Sequence, residues 1–367
     1  MRVLVAPDSF GGTLSAPEAA RAIVAGWQRQ APDDELITAP MADGGPGFVD
    51  VLHESIGGEL AVQTVSGPYG DPVPVTWLKD GATAYVESAQ ACGLHLSERR
   101  EPLVATTFGV GQLVEAAVDA GARRVVVGLG GSATNDAGAG FLAALGATAD
   151  VPLDAGPEGL AGVTDVDVTP ARLRLSGVEL VVASDVTSTL LGMFGATKTF
   201  GPQKGLSEEQ IIRVDGILDT FVDAVCGSTP AERRVADAPA AGAAGGLGFA
   251  LQVLGGTVTS GIDLVADAVG LRDLAASVDL VVTGEGRYDF SSRSGKVVFG
   301  VAKAAGAAAR PCIVLTGQLQ VGAREMRAMG VESAYAMADV VGLETALSEP
   351  HTSLAALAAR VARTWSR

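Results

Sequence analysis

The chain is poor in the residues that build disulfide frameworks and metal clusters. Its 367 residues include 3 cysteines and 3 histidines, and both sets are widely spaced. An odd number of scattered cysteines excludes a disulfide framework and predicts a reducing compartment, which we expect to be the cytoplasm. Because histidine and cysteine do not cluster, no zinc-type motif is visible. The short apolar run before Pro7 lacks the pattern of a signal peptide.

Basic residues are also scarce. The chain has 26 lysines and arginines against 42 aspartates and glutamates, which gives a formal net charge of −16. Such an acidic surface argues against nucleic acid or an anionic membrane as a partner. Lysine is rarer than arginine in this chain, so each lysine is either present by chance or a candidate for a specific role. The lysines are Lys79, Lys198, Lys204, Lys296 and Lys303.

Hydrophobic residues nevertheless make up 48% of the chain, a composition that excludes intrinsic disorder. The uncharged segment 238–262 is rich in glycine, alanine and threonine. Its stretch LGFALQVLGG predicts a buried helix that ends in glycines, not a membrane span. The length exceeds the size at which one core usually keeps growing, so we expect two domains.

Short Val/Leu/Ile runs recur along the chain, and Ala-rich stretches lie between several of them. This alternation predicts βαβ units and a parallel sheet, in which ligands bind at the carboxyl ends of the strands. The predicted strands are 3–6, 36–39, 125–129, 180–183, 280–283 and 312–316, and the predicted helices are 16–30, 109–120, 137–145 and 298–309.

Two regions interrupt this rhythm. Residues 59–101 alternate in character and contain Pro/Gly turns, a pattern that predicts antiparallel strands. Residues 186–259 are rich in loops and in glycine and alanine. We therefore predict an α/β protein with a Rossmann-like parallel-sheet domain (1–58, 102–185 and 260–367). A second, smaller α/β domain (59–101 and 186–259) is inserted into it.

Candidate site residues follow the first two predicted strands. Asp8 and Ser9 open a glycine-rich loop that leads to Ser15, a predicted helix N-cap with Glu18 at the capping-box position. The loop is either a ligand-binding loop or a plain strand-turn-helix connection. In Asp43-Gly44-Gly45, an acid faces the predicted site and the glycines allow a ligand to approach the backbone, unless this is an ordinary turn.

The most distinctive stretch is GLGGSATNDAGAG, residues 128–140. It fits neither the P-loop spacing nor G-x-G-x-x-G. Its donors to phosphate would be Gly130, Gly131, Ser132, Thr134 and Asn135, and Asp136 is a candidate ligand of a divalent cation. The alternative is a structural turn.

Two later segments carry charged groups. Asp185 stands at a strand end and is either a Mg²⁺ ligand or proton acceptor, or a helix N-cap, while Lys204 lies in FGPQKG, which we expect to be a turn. The loop of residues 280–296 contains Glu285, Arg287, Asp289 and Lys296, and is otherwise a charged surface loop. These segments together supply the parts that phosphoryl transfer requires. The Rossmann fingerprint expected for hydride transfer is missing.

Seven segments in order make the chain similar to a known family, the type 1 glycerate kinases. They are APDSF…LSA (6–16), ADGG (42–45), GLGGSATNDAGAG (128–140), FGPQKG (200–205), AAGGLGFAL (243–251), GIDLV (261–265) and TGEGRYD…GK (283–296). The resemblance implies ATP- and Mg²⁺-dependent phosphorylation of glycerate or a close hydroxy acid. It also implies two α/β domains with the site in the cleft between them, in an intracellular enzyme.

The predicted roles divide the candidates into four groups. The nucleotide phosphates or substrate would be held by Gly130, Gly131, Ser132, Thr134 and Asn135, with Gly44, Gly45 and Glu285 as further binding residues. Asp185 and Asp289 are predicted to bind Mg²⁺ or to take the hydroxyl proton, with Asp136 as a further metal ligand. Arg287, Lys296 and Lys204 would neutralise a carboxylate or the transferring phosphoryl group. The acceptor side would be lined by Asp8, Ser9 and Asp43.

Several positions depart from the family pattern. The family usually has Lys where this chain has Gly11, and the other departures are Pro46, Phe48, Ser188, Thr189 and Ser291-Ser292. They favour an altered substrate choice or reduced activity. The intact acidic residues Asp185, Glu285 and Asp289 nevertheless favour the main hypothesis, a kinase for glycerate or a close hydroxy acid. The alternatives are a degenerate paralogue that binds ligand without turnover and a nucleotide-dependent structural subunit.

Overall fold

The computed structural model describes residues 1–289 and 296–366, so Ser291 and Ser292 lie outside the described residues. The strands are β1 (Arg2–Val5), β2 (Glu35–Thr38), β3 (Glu59–Ser66), β4 (Pro72–Asp80), β5 (Thr83–Glu87), β6 (Arg124–Gly128), β7 (Thr148–Ala149), β8 (Val166–Asp167), β9 (Glu179–Ala183), β10 (Thr257–Thr259), β11 (Leu280–Tyr288), β12 (Cys312–Leu319) and β13 (Ser333–Ala336).

The α-helices are α1 (Ala16–Gln30), α2 (Phe48–Ile56), α3 (Ala89–Cys92), α4 (Phe108–Asp119), α5 (Ala139–Ala144), α6 (Gly156–Gly159), α7 (Thr169–Arg174), α8 (Ala196–Lys204), α9 (Glu208–Cys226), α10 (Leu247–Val253), α11 (Gly261–Val269), α12 (Leu271–Ala276), α13 (Val297–Ala307), α14 (Ala323–Ala328), α15 (Ala338–Val341), α16 (Leu343–Ser348) and α17 (Pro350–Trp365). Short 3₁₀ helices cover Leu94–Leu96, Glu232–Val235 and Ala243–Gly246.

The chain forms two compact units. The first unit comprises Met1–Asp43, Asp50–Gly57 and Ser260–Arg367. Its sheet has the order β13-β12-β11-β1-β2, and every neighbouring pair is parallel. Because such strands are covered on both faces, they form continuous apolar runs, which is why the sequence pattern located them.

Helix α1 follows β1 through the opening loop. Ser15 accepts a hydrogen bond from the Glu18 N–H while the Glu18 side chain accepts one from Ser15 N, which confirms the predicted capping box. The buried face of the helix includes Ile23 and Trp27. A Cβ at Gly26 would lie 2.0 Å from the Ala355 carbonyl oxygen, so this glycine allows α1 to pack closely against α17.

The second unit comprises Gly44–Val49 and Gly58–Thr259. Its six-stranded sheet has the order β10-β9-β6-β5-β4-β3. The β3–β4 and β4–β5 pairs are antiparallel, as predicted for residues 59–101, and the pairs from β5 to β10 are parallel.

The predicted domain boundaries differ from this division. Residues 102–185 were assigned to the Rossmann-like domain, but β6 and β9 pair with β5 and with each other inside the second unit. The inserted unit is therefore the larger of the two, not the smaller. Apolar strands alternate with helices in both sheets, so the local pattern does not tell which sheet a given strand joins.

The segment read as a buried helix is α10. Its apolar residues Leu247, Phe249, Ala250 and Leu251 are fully buried, and Gly255 follows with a left-handed backbone. This confirms the predicted helix ending in glycines. Among the described residues, every helix is too short or too polar to traverse a bilayer.

Candidate active site

The second unit contains a cavity of about 90 Å³, which we call the anion pocket. It lies where the loop after β6 meets the end of α8 and the segment that precedes α10. Its lining consists of Leu129, Gly130, Gly131, Ser132, Val186, Phe200, Gln203, Lys204, Ala244 and Gly245. The pocket therefore brings together three of the sequence segments singled out above.

The loop after β6 forms one wall of the pocket. Within the described part of the chain, the main-chain N–H groups of Gly130, Gly131 and Ser132 donate to no protein acceptor. Gly131 has a left-handed φ of 63°, and a Cβ at Gly130 would lie 2.7 Å from the Gly45 Cα. Consecutive free N–H groups around a left-handed residue form a concavity that binds anions. Gly45 is thus next to this loop, and its binding role stays a prediction.

Lys204 forms the opposite wall and supplies a positive charge. It is the last residue of α8, which Gly205 ends with a φ of 102°, so the expected turn at FGPQKG is instead a helix terminus. The side chain is buried, and Nζ donates to the Ser132 Oγ at 3.1 Å and to the Thr134 carbonyl oxygen at 2.5 Å. Because an ammonium group has three donors, one remains for an anion in the pocket.

Burial dominates the electrostatics of this lysine. It lowers the pKa of Lys204 from 10.5 to about 8, while Cys92 and the carboxylate of Asp136 act in the opposite direction. Burial also raises the pKa of the neighbouring Cys92 thiol to about 12, so the thiol is neutral near pH 7. The Lys204 ammonium is therefore largely charged at neutral pH but poorly solvated, and an entering anion would compensate it.

Asp136 is held inside the fold. It is fully buried, and its carboxylate accepts hydrogen bonds from the Thr107 N–H and hydroxyl, both at 2.8 Å, and from the N–H groups of Gly138 and Gly140. These donors occupy both carboxylate oxygens. The predicted metal-binding role of Asp136 does not fit this environment, and we assign it to fixing the turn before α5.

Thr134 and Asn135 fix the far side of the same loop. Asn135 is fully buried and donates through Nδ2 to the Thr197 hydroxyl of α8 at 2.8 Å. Its Oδ1 has no hydrogen-bond partner among the described residues. Thr134 contributes its carbonyl oxygen to Lys204, not its hydroxyl to the pocket lining. Both residues thus position Lys204 and α8 around the pocket.

Asp185 lies in an irregular segment immediately beyond β9. The alternative that it caps a helix is wrong, because the next helix, α8, begins at Ala196. Ser184 N donates to the Thr259 carbonyl oxygen at 3.0 Å, which holds the start of this segment against β10. Its neighbour Val186 lines the anion pocket, so the partly exposed Asp185 is placed beside the pocket.

A second group of predicted residues lies at the carboxyl edge of the sheet in the first unit. Asp8 N donates to the Gly284 carbonyl oxygen at 2.8 Å, and Met41 N donates to the Pro7 carbonyl oxygen at 2.9 Å. These bonds extend the pairing of β1 with β11 and β2 beyond the strand ends. The loops that carry Asp8 and Asp43 therefore emerge beside Glu285 on β11.

The carboxyl groups at this edge interact. Burial raises the pKa of Asp8 well above its usual range, and the charges of Asp43 and Glu285 raise it further. The Ser9 N–H, which donates to Asp8 Oδ1 at 2.7 Å, and the Lys296 ammonium lower it in part. The structure thus brings these five predicted residues into one electrostatic group.

Arg287 follows Glu285 on β11, and Asp289 lies immediately beyond the end of this strand. Arg287 is exposed and pairs in register with Gln318 of β12, whereas Asp289 is partly buried. Lys296 stands at the start of α13 with an extended backbone. The Lys296 ammonium is among the charges that act on Asp8, and the roles predicted for Arg287 and Asp289 stay predictions.

Comparison with known proteins identifies the family. The sequence model described as the glycerate kinase family matches residues 3–366. This chain belongs to the glycerate kinase family. It is 43% identical to an uncharacterized protein of Mycobacterium tuberculosis (strain CDC 1551), over 99% of this chain and 91% of that one. It is 38% identical to the glycerate 2-kinase of Escherichia coli (strain K12), over 93% and 92% of the two chains.

A solved structure in this family has the same fold. The crystal structure of a proposed glycerate kinase 2 from Salmonella typhimurium LT2 superimposes with a TM-score of 0.78 at 36% identity. The match covers 99% of this chain and 98% of that chain. The predicted glycerate kinase resemblance and α/β fold class are therefore confirmed.

The departures from the glycerate kinase pattern occupy different environments. Phe48 is fully buried and packs edge-on against Tyr85, with ring centroids 6.3 Å apart, so the change at this position concerns the core and not an acceptor. Pro46 contacts Gly131, where a Cβ would lie 3.0 Å from its ring. Gly11 has a left-handed φ of 56° with open space around its Cβ position, so a longer side chain there is strained but not blocked.

Sequence reasoning missed two contributors to this glycerate kinase site. Glu87 at the end of β5 is buried and accepts hydrogen bonds from the N–H groups of Gly47 and Val49, at 3.0 and 3.4 Å. An acid that ends an apolar strand run was an available signal. Ala244 and Gly245 both have a left-handed backbone conformation and line the pocket. The glycines of AAGG were the only sequence signal for this conformation.

Proposed function

We propose that this protein is an ATP-dependent kinase that phosphorylates a hydroxyl group of glycerate. Membership of the glycerate kinase family supports a kinase, and the name of the Escherichia coli relative supports glycerate as the acceptor and its 2-hydroxyl as the site of transfer. The observation that carries the proposal is the anion pocket, which is lined by the buried Lys204 and by three residues whose N–H groups have no acceptor in the described part of the chain. Such a site suits a phosphate group.

The chemistry assigned to the pocket is electrostatic. The acceptor oxygen attacks the terminal phosphorus of ATP, the bond from that phosphorus to the bridging oxygen breaks, and ADP leaves with the electron pair. Lys204 and the N–H groups of Gly130, Gly131 and Ser132 stabilise the negative charge on the phosphate oxygens. Asp8, Ser9 and Asp43 are assigned to the acceptor side. The raised pKa of Asp8 makes its carboxylate a stronger base than that of an ordinary aspartate.

The carboxylates that remain as Mg²⁺ ligands are Asp185 and Asp289. The described residues contain no group of three or more His, Cys, Asp or Glu side chains that would hold a metal by themselves. Each of these carboxylates by itself is a suitable ligand for Mg²⁺, which usually binds one or two carboxylates and completes its shell with water and phosphate oxygens. When bound, Mg²⁺ would neutralise charge on the nucleotide phosphates. The cytoplasmic location inferred from the cysteines stays a prediction.

The proposal is tested by measuring ADP release from ATP and Mg²⁺ in the presence of D-glycerate, L-glycerate, glycolate, lactate and tartronate. We expect D-glycerate to accelerate ADP release, and ³¹P NMR to identify the product as 2-phosphoglycerate. Lys204→Met should lose this acceleration while keeping a cooperative melting transition. ADP release that no acid raises above the acid-free rate would contradict the kinase assignment. A thermal shift with ATP in that case would favour the paralogue that binds without turnover.

A further inference from the structure

The segment Leu94–Pro102 contacts a lining residue of the anion pocket at one end and the residue after Lys204 at the other. Leu94 N donates to the Gly131 carbonyl oxygen at 2.8 Å, and Gly93 forms an isolated bridge with Ser132. At the other end, a Cβ at Gly205 would lie 3.2 Å from the Arg100 Cβ. Gly131 lines the pocket and Gly205 directly follows Lys204, so this segment runs along the rim of the pocket.

Two adjacent arginines on this segment have different surroundings. Arg99 donates to the Glu101 carboxylate at 2.6 Å, and its guanidinium lies 4.7 Å above the Tyr69 ring. Among the described residues, Arg100 donates only to the carbonyl oxygens of Ser97 and Arg99, at 2.6 and 2.9 Å. In the described part of the chain, no carboxylate lies within ion-pair distance of Arg100. Its side chain is exposed and can exchange these local carbonyls for a stronger acceptor.

The phosphate chain of a nucleotide carries more negative charge than the lysine of the pocket compensates. A nucleoside triphosphate carries several negative charges, whereas the pocket itself holds the single ammonium group of Lys204 and has room for about one phosphate group. The remaining phosphates of the chain must lie outside the cavity, at the rim. An arginine fork binds phosphate oxygens in pairs and does so more strongly than it binds neutral carbonyls.

We propose that Arg100 is a substrate-contacting residue that binds the phosphate chain of the nucleotide at the rim of the anion pocket. Its guanidinium leaves the carbonyl oxygens of Ser97 and Arg99 and pairs with phosphate oxygens next to the group held by Lys204. Arg99 does not take part, because Glu101 and Tyr69 already hold it. Because this inference rests on the proposed function of the pocket, its test must separate the two.

The test measures binding of inorganic tripolyphosphate to the full chain by calorimetry, without Mg²⁺. We expect Arg100→Ala to weaken binding by roughly tenfold or more, the effect of losing a charge-assisted pair. Arg99→Ala removes the same charge from the same segment and should change binding less than about twofold. Arg100→Lys should recover part of the loss, because it restores the charge but not the fork. In turnover assays, Arg100→Ala should raise the KM for ATP and leave the KM for glycerate unchanged.

Lys204→Met separates this proposal from the function of the pocket. If Lys204→Met abolishes tripolyphosphate binding while Arg100→Ala binds like the parent chain, the assignment of Arg100 is overturned and the pocket stands. If Lys204→Met also binds like the parent chain, the phosphate assignment of the pocket falls, and that of Arg100 falls with it. Equal losses in Arg99→Ala and Arg100→Ala would show a nonspecific charge effect and would also overturn the proposal. Melting temperatures of all variants confirm that they are folded.

Discussion

Among single residues, Lys204 and Asp136 are both charged groups buried in the second unit, but their surroundings differ. Asp136 accepts four hydrogen bonds from protein donors, so its charge is compensated without a ligand. Lys204 donates to a neutral hydroxyl and a carbonyl oxygen, and its third donor has no hydrogen-bond partner among the described residues. A buried charge that the fold compensates stabilises structure, whereas one left partly uncompensated marks a binding site.

This contrast predicts that Lys204→Met stabilises the protein. The lowered pKa of Lys204 corresponds to a burial cost of about 3 kcal/mol at neutral pH. The lost hydrogen bonds offset part of this gain, so we expect the free energy of unfolding at pH 7 to rise by about 1 kcal/mol. Between pH 8 and pH 10.5 the unfolded parent chain binds more protons than the folded one, so its stability rises and the difference shrinks. Urea unfolding at pH 7 and pH 10 measures both effects, and a less stable variant at pH 7 would contradict them.

Two aspartates give a second prediction at this scale. Asp136→Asn should lower the free energy of unfolding by about 2–4 kcal/mol, because an amide nitrogen would face buried N–H donors. Asp185→Asn should change stability by less than about 1 kcal/mol and reduce turnover at least a hundredfold. Denaturant unfolding and steady-state assays of both variants check the pair. Near-normal turnover of Asp185→Asn would remove Asp185 from the mechanism.

At the scale of elements, the anion pocket depends on the close approach of two loops. Three consecutive residues, Ala244, Gly245 and Gly246, have a left-handed backbone conformation with positive φ. A Cβ at Gly245 would lie 1.9 Å from the Thr134 carbonyl oxygen, which is the acceptor of Lys204. The conformation of one loop therefore sets the position of a donor on a helix, and small residues are needed where the two meet.

Gly245→Ala is accordingly expected to disrupt the site. We predict a loss of at least about 2 kcal/mol in stability and a loss of tripolyphosphate binding, because the added methyl group displaces the Thr134 carbonyl. Gly216→Ala is the matched control, since Gly216 lies inside α9 with nothing within 4 Å of its Cβ position. It should raise stability by about 0.5–1 kcal/mol and leave binding unchanged. Thermal melts and calorimetry of the two variants measure both effects. Unchanged binding in Gly245→Ala, or weakened binding in Gly216→Ala, would contradict the prediction.

For the whole molecule, the net charge of −16 and the buried carboxyl groups act in the same direction. Asp8 and Asp136 have pKa values raised above 3.8, so above that pH the folded chain retains protons that the unfolded chain has released. Stability then falls as pH rises. Carboxyl groups with lowered pKa values, such as Glu18 and Asp150, lose their contribution only at more acidic pH.

We therefore expect the protein to melt at a higher temperature at pH 5.5 than at pH 7.5 in a buffer of low ionic strength. The difference should be at least about 2 °C, and 0.15 M salt should reduce it by screening the repulsion among surface carboxylates. Calorimetric scans at the two pH values measure the effect, and a higher melting temperature at pH 7.5 would contradict it.

How much the sequence predicts depends on whether the signal is local. Ser15 and Glu18 form their capping box within one helical turn, and both were identified correctly. The expected turn around Lys204 was wrong, because Pro202 and the glycines of FGPQKG suggested a break where α8 continues to Lys204. The sequence marks Phe48 as a departure from the family pattern but not as a core residue, because its burial depends on residues far along the chain.

The sequence by itself determined the family, the α/β class and the polar residues at the strand ends, because each of these is written in short contiguous motifs. Only the tertiary structure decided that residues 102–185 join the second sheet, since strand pairing is a long-range choice that local periodicity does not encode. It also decided which charges are compensated. The sequence predicts both Asp136 and Lys204 to be site residues. Hydrogen bonds with distant segments enclose the Asp136 carboxylate, whereas those of Lys204 hold its ammonium group in the pocket lining.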